Sequence, residues 1–283
     1  MKKEKNAFIE KYFTSKTAKI SMLFLIVTVF VFAGYKVYEI TIKDNVPPVV
    51  TAPSSILNAS VSITNKELLA GVTAVDEKSG DVSGTLMVEK LSSINQDNNR
   101  TIYYIALDKN NNVGRAERTL HYTDYELPVF TMDNGCFIVK IDQTIDIMKY
   151  IRAYSILDGD LSSFVKYSFD SKLDTSTLGA YPVQLYVTDS AGGVSKLDTN
   201  LLVVSDSEIH EKIKLSTYLV YINVGDEFNP EDYVIEGSYT GEISVESTVN
   251  TDQKGTYCVD YYVTNTTQYN TYKGRTRLIV IVK

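Results

Sequence analysis

The feature that most constrains this chain is a pair of sequence blocks that return about every 80 residues. The first block is Val72, Ala74, Gly80, Asp81, Val82 and Ser83, matched 79 residues later by Ile151, Ala153, Gly159, Asp160, Leu161 and Ser162. A third copy, Gly241, Glu242, Ile243 and Ser244, follows 82 residues further on. The second block alternates strictly: Ile102, Tyr104 and Ala106, then Asp108 and Val113, matched after 81 residues by Val183, Leu185, Val187, Asp189 and Val194. Its third copy is Tyr257, Val259, Tyr261 and Val263, with Asn265 where the others carry Asp. Alternation with period two buries one face of a strand and wets the other, as in an antiparallel sandwich and unlike a parallel sheet.

Turn glycines lead into these strands at Gly179-Ala-Tyr181 and Gly255-Thr-Tyr257, and closing strands follow at 118–122, 199–204 and 277–282. No stretch of helical period occurs after residue 40. The pattern predicts an all-β chain of three tandem immunoglobulin-like antiparallel β-sandwiches over 45–124, 125–206 and 207–283, with a barrel as the weaker alternative. A length of 283 residues with 44% apolar content gives each sandwich material for a core. The joints at Asp124–Pro128 and Ser205–His210 are short, so an end-to-end array would reach on the order of 100 Å at ~3.3 Å per strand residue.

Ahead of the repeats, Ile20 to Tyr35 is apolar except for Ser21 and Thr28, whose hydroxyls can bond back to a helix backbone. Extension through Lys36, which can snorkel, to Ile40 gives the ~20 residues a bilayer needs, so 20–40 are expected to form one transmembrane α-helix contacting the lipid bilayer. Lys2, Lys3, Lys5, Lys11, Lys16 and Lys19 face Glu4 and Glu10 in the tail 1–19, which keeps that tail cytoplasmic and the repeats extracellular at the cell membrane. The small-residue spacing at Val31-Phe32-Ala33 leaves the alternative of a cleaved signal and a secreted product. Residues 37 onward hold 21 basic and 33 acidic side chains, a balance of −12, which argues against nucleic acid and anionic lipid surfaces as their main partners.

Several segments carry a family resemblance: Val224-Gly-Asp-Glu-Phe228 with Tyr233-Val234, Leu157-Asp-Gly-Asp-Leu161, and Gly179-Ala-Tyr-Pro-Val183 running on to Val187-Thr-Asp-Ser-Ala-Gly192. Over residues 45–283 the chain resembles the bacterial immunoglobulin-like repeats of surface proteins, a family close to hyalin-repeat and cadherin-like modules. The first repeat departs from the family pattern by lacking the Gly-x-Tyr entry; the third lacks the hairpin Asp and the Pro entry. The resemblance implies an extracellular spacer or adhesion module and no particular activity.

The acidic turns are the main chemical signal. Asp76, Asp81 and Asp108 in the first repeat and Asp158, Asp160 and Asp189 in the second are hard oxygen ligands suited to Ca²⁺, as between cadherin-like modules. The same residues also build turns by bonding their own backbone, and no EF-hand spacing is present. Cys258 falls on the outward phase of its strand, and a bridge to Cys136 would join different sandwiches, so both thiols are expected unpaired. Tyr262, Tyr269 and Tyr272 have no inward assignment and, with Cys258, are candidates for contact with a surface protein or glycan.

His121 and His210 lack a nucleophile motif, and no P-loop, dinucleotide fingerprint or H-E-x-x-H occurs. The expectation is therefore a non-enzymatic, membrane-anchored surface protein for adhesion or scaffolding, without a cofactor unless the acidic turns hold calcium. Its alternatives are a carbohydrate or cell-wall binding module and an accessory subunit of an envelope complex.

Overall fold

The computed structural model describes residues 16–41, 44–133, 137–208 and 212–283. Cys136, His210 and most of the Lys-rich tail lie outside the described residues. Helix α1, Lys16–Thr41, runs without a break through Val31-Phe32-Ala33. Its apolar side chains from Ile20 to Tyr38 are left exposed, and by length and composition the helix could cross a membrane as an anchor or serve as a signal sequence. Thr28 donates its hydroxyl to the Phe24 carbonyl at 2.8 Å, hiding its one polar group in the helix itself. Lys36 and Glu39 pair at 2.7 Å near the helix end.

Among the described residues, the remainder is mainly β-structure in five sheets. One three-stranded sheet contains β1 (Val49–Thr51), β3 (Thr73–Asp76) and β4 (Gly80–Asp81) in the order β1-β3-β4. A four-stranded sheet has the order β2-β7-β6-β5, from β2 (Leu57–Ala59), β5 (Met87–Leu91), β6 (Asn99–Leu107) and β7 (Val113–Tyr122). The plan then returns. β8 (Val129–Met132), β10 (Ile151–Ser155) and β11 (Gly159–Asp160) form a three-stranded sheet, and β9 (Ile138–Lys140), β12 (Lys166–Phe169), β13 (Gly179–Thr188) and β14 (Val194–Val204) a four-stranded one, β12-β13-β14-β9. The fifth sheet, β15-β18-β17-β16, uses β15 (Leu219–Ile222), β16 (Glu242–Ser247), β17 (Gly255–Thr266) and β18 (Thr271–Val282). There the small companion sheet is reduced to one bridge, Leu215 to Val234.

The sheets are not purely antiparallel. In each four-stranded sheet the first strand in sequence pairs parallel to the last: Leu57 with Leu120, Ile138 with Leu202, Leu219 with Ile279. The long hairpins β13–β14 and β17–β18 are antiparallel.

By contacts the chain divides into two units, one of residues up to Ser55 with Thr64–Lys90 and Ile102–Arg118, the other of Ile56–Ile63, Leu91–Thr101 and Thr119–Lys283. In the first, Ala74, Val82 and Ala106 form a small core with Val50 and Leu86 against it. The predicted alternation holds along β6, where Ile102, Tyr104 and Ala106 are fully buried. The Tyr104 hydroxyl donates to the Leu68 carbonyl at 2.8 Å, closing helix α2 (Asn65–Leu68), whose start carries a Thr64–Glu67 capping box.

In the second unit one core gathers Phe130, Phe137, Ile147, Ile151, Leu185, Val187, Leu197 and Leu201, and it also takes in Leu219 and Ile279 from the fifth sheet. Residues on both sides of the expected second boundary therefore share one core. Leu278 and Ile279 point to opposite faces of β18, and both are fully buried, Leu278 in its own sheet's core and Ile279 in its neighbour's. Each such buried aliphatic contributes about 1.5–3 kcal/mol.

Candidate functional site

The acidic turns separate into two kinds. Asp81 Oδ1 accepts the Ser83 N–H at 2.9 Å, and Asp160 Oδ1 accepts the Ser162 N–H at 2.9 Å. These serines return a bond to the strand before: Ser83 Oγ accepts Ala74 N–H and Ser162 Oγ accepts Ala153 N–H. Gly80 and Gly159, at φ 78° and 77°, make the turns possible. Both carboxyls are held below the ordinary Asp range, first by the serine hydroxyl and then by the serine N–H. Asp158 takes both the N–H and the hydroxyl of Ser190 at 2.7 and 2.6 Å. Asp81, Asp158 and Asp160 are thus engaged in turn construction.

Asp76 and Asp108 are different because they converge with a third residue that the sequence did not single out. Asp44, Asp76 and Asp108 each offer an oxygen, all within 4.8 Å of one another. Their exposures are 4%, 3% and 6%. Asp44 comes from the segment between α1 and β1, Asp76 from the end of β3, and Asp108 from the turn after β6. Local bonds fix each carboxylate. Asp44 Oδ1 accepts Val46 N–H at 3.0 Å; Asp76 Oδ1 accepts Lys78 and Ser79 N–H; Asp108 Oδ1 accepts Asn110 and Asn112 N–H at 2.8 and 2.7 Å. Asn112 bridges the cluster, donating its side-chain amide to Asp108 Oδ2 at 2.7 Å and to the Asp44 carbonyl at 3.1 Å. Among the described residues, Asp44 Oδ2 and Asp76 Oδ2 are buried without a hydrogen-bond partner. The backbone N–H of Ser79 outweighs burial and holds the Asp76 carboxyl below its usual range.

The second copy of this corner is built otherwise. At the offsets of the repeat, Tyr125 replaces Asp44, Ser155 replaces Asp76, and Asp189 is retained. Asp189 ties its own turn through Ala191 and Gly193 N–H, as Asp108 does, but its other oxygen accepts the Tyr125 hydroxyl at 2.7 Å. Ser155 Oγ accepts Leu157 and Asp158 N–H. Burial and the Asp189 hydrogen bond push the Tyr125 hydroxyl far up, keeping it a donor. The expectation of paired acidic sites in both repeats therefore resolves into one three-carboxylate cluster and one protein-closed corner. In the third copy Asn265 donates to Thr240 at 3.0 Å, with no carboxylate in either position.

The partner-contact candidates also separate. Tyr269 is 85% exposed, in the turn between β17 and β18, and Tyr272 lies just beyond it, its hydroxyl accepting from Asn270 at 3.2 Å. Tyr262 is instead stacked under Arg275, 4.9 Å from its ring centre, and donates to Glu246. Cys258 is half-buried and not on an open face, because the phase it shares with Asp260, Tyr262, Arg277 and Ile279 is partly covered by the neighbouring sheet. Arg277 on that face reaches the Asn200 carbonyl of β14. Burial pushes the Cys258 thiol up. The signal for this covered face was present in Leu278-Ile-Val-Ile-Val282, an apolar run without alternation.

No known family matches the sequence, and no curated protein matches it. Solved chains of related architecture include the CBM51-2 (in complex with GlcNAc) and INT domains of Clostridium perfringens ZmpB, at 14% identity over 55% of this chain and 42% of that one, TM-score 0.26. The protocadherin GammaB4 extracellular domain matches at 9% over 86% of this chain and 50% of its own, TM-score 0.21. Human CDH23 EC21-23 matches at 12% over 83% of this chain and all of its own, TM-score 0.21. This chain therefore spans half or less of the first two. Likeness at this level carries no functional information.

Proposed function

We propose that this is a non-enzymatic, membrane-anchored cell-surface protein that presents three immunoglobulin-like sandwiches for adhesion or protein scaffolding. The observation that carries the reading is the β17–β18 turn, where Tyr269 stands 85% exposed beside Tyr272 on a twelve-pair hairpin that needs neither ring for its own core. Exposed aromatic rings on a rigid hairpin lose little entropy on contact and offer large apolar area. The unbroken, uncovered α1 supports retention in the membrane, and the Lys-rich tail before it supports a cytoplasmic N-terminus. The acidic balance beyond residue 36 favours protein or neutral glycan over nucleic acid.

The test is crosslinking and pull-down with the full chain from intact envelopes, comparing wild type with Tyr269→Ala and Tyr272→Ala. A protein partner captured by wild type and lost in both variants supports the reading. Capture by purified wall glycan alone, lost in the same variants, replaces it with carbohydrate binding. Capture indifferent to both tyrosines removes the hairpin from the interface.

A further inference from the structure

We infer that Asp44, Asp76 and Asp108 hold one calcium ion, which fastens the segment leaving the membrane helix to the first β-sheet. The cluster places three carboxylates at 3–6% exposure with one oxygen from each inside 4.8 Å. Close like charges away from water are strongly unfavourable unless a cation compensates them. Among the described residues, Lys78 Nζ lies 4.0 Å from Asp44 Oδ1 on a half-exposed side chain, and it does not satisfy the oxygens that lack partners there. Those oxygens, Asp44 Oδ2 and Asp76 Oδ2, are a second and independent sign of a ligand. Each carboxylate's Oδ1 is already tied to turn N–H groups, which fixes the carboxylates in place before any ion binds.

The chemistry of the donors selects the ion. All three are hard carboxylate oxygens, with no imidazole or thiolate among them, which favours calcium or magnesium over zinc. Mg²⁺ demands a near-ideal octahedron at ~2.1 Å, whereas Ca²⁺ takes six to eight oxygens at ~2.4 Å in irregular geometry. Three carboxylates supplied by three separate segments fit calcium, with water completing the shell.

The second copy serves as an internal control. There the same corner carries one carboxylate, one phenol and one serine hydroxyl, and the Tyr125–Asp189 bond of 2.7 Å closes it without an ion. The ion is therefore confined to the copy that follows the membrane helix. Asp44 lies three residues beyond the end of α1. It is otherwise held by Asn112 through its carbonyl, and Pro48 packs its carbonyl against Gly114, where a Cβ would collide. Calcium adds a strong tie at the start of this segment.

The test uses the full chain in nanodiscs, stripped with chelator and titrated with Ca²⁺ or Mg²⁺, with binding followed by calorimetry and residues 44–50 by hydrogen exchange. Wild type should take up one Ca²⁺ per chain with an affinity of about 0.1–1 mM or tighter, as extracellular modules do. Calcium should slow exchange in 44–50 by about tenfold or more, and Asp44→Asn or Asp76→Asn should each weaken binding by about tenfold or more. Asp158→Asn and Asp160→Asn should leave binding unchanged. In chelator, Asp44→Asn should melt higher than wild type because one of three repelling charges is gone. No calcium uptake in the millimolar range, uptake indifferent to Asp44→Asn, equal affinity for Mg²⁺, or a lower melting point of Asp44→Asn in chelator would each overturn the inference.

Discussion

Replacing Asp260 by Asn should destabilise the second unit by about 3 kcal/mol at neutral pH, and the loss should disappear in acid. Asp260 Oδ1 accepts Arg277 Nε at 2.7 Å, and Oδ2 accepts Arg277 Nη2 at 2.7 Å and Arg275 Nη2 at 3.2 Å. The side chains of Asp260, Arg277 and Arg275 are 15%, 9% and 16% exposed. Breaking a buried pair by removing one partner costs about 3–5 kcal/mol, and the residual exposure and the second contact of Arg275 with Glu208 place this one at the lower end. For a unit of this size, about 3 kcal/mol corresponds to roughly 6–12 °C in Tm. Burial opposes the charge of Asp260, but Arg277 and Arg275 outweigh it and hold the carboxyl below its usual value. A depressed carboxyl stabilises fully above its unfolded pKa of about 3.9 and loses that contribution as pH falls through the folded value. Thermal or urea unfolding of wild type and Asp260→Asn in detergent should thus show a constant gap from neutral pH down to about pH 5, closing below about pH 4. A gap that persists unchanged in acid, or one below about 0.5 kcal/mol at neutral pH, would refute the assignment of stability to this charge network.

Tyr125→Phe should cost about 1.5–3 kcal/mol in urea unfolding because it leaves an Asp189 oxygen without its donor. Gly193→Ala should destabilise by about 1–3 kcal/mol, since its Cβ would meet the Tyr125 hydroxyl and sit 3.0 Å from Asp189 Oδ2, and a double-mutant cycle with Tyr125→Phe should show the two costs to be less than additive. Gly114→Ala should speed hydrogen exchange across residues 44–50, because the new Cβ displaces the Pro48 carbonyl; unchanged exchange would show that segment to be held elsewhere. In a Cys136→Ser background, Cys258 should react slowly with maleimide at neutral pH and much faster in urea, its thiol being half-buried and its pKa raised; equal rates would place it on an open face.

How much of this was readable in advance varies residue by residue. The alternation of Ile102, Tyr104 and Ala106, and of Val183, Leu185 and Val187, gave strands and inward faces correctly, because side-chain direction in a strand is set by local geometry. The turns at Gly80-Asp81 and Gly159-Asp160 were equally local, each closed by the serine two residues on. The apolar run into α1 was legible from length and hydropathy. Asp44 was not singled out, yet the repeat offsets already aligned it with Tyr125, and that comparison would have exposed the change of chemistry at one corner.

What the sequence determined by itself was therefore period, turn chemistry and the membrane-type helix, all properties of a few consecutive residues. The tertiary structure alone decided that Asp44, Asp76 and Asp108 meet, since their loops are brought together by sheet pairing and not by spacing along the chain. It also decided that the second face of β17 and β18 is partly covered, which leaves Cys258 half-buried and the Asp260–Arg277 pair largely buried instead of on the surface. Alternation tells which residues share a face; only packing tells whether anything lies against it.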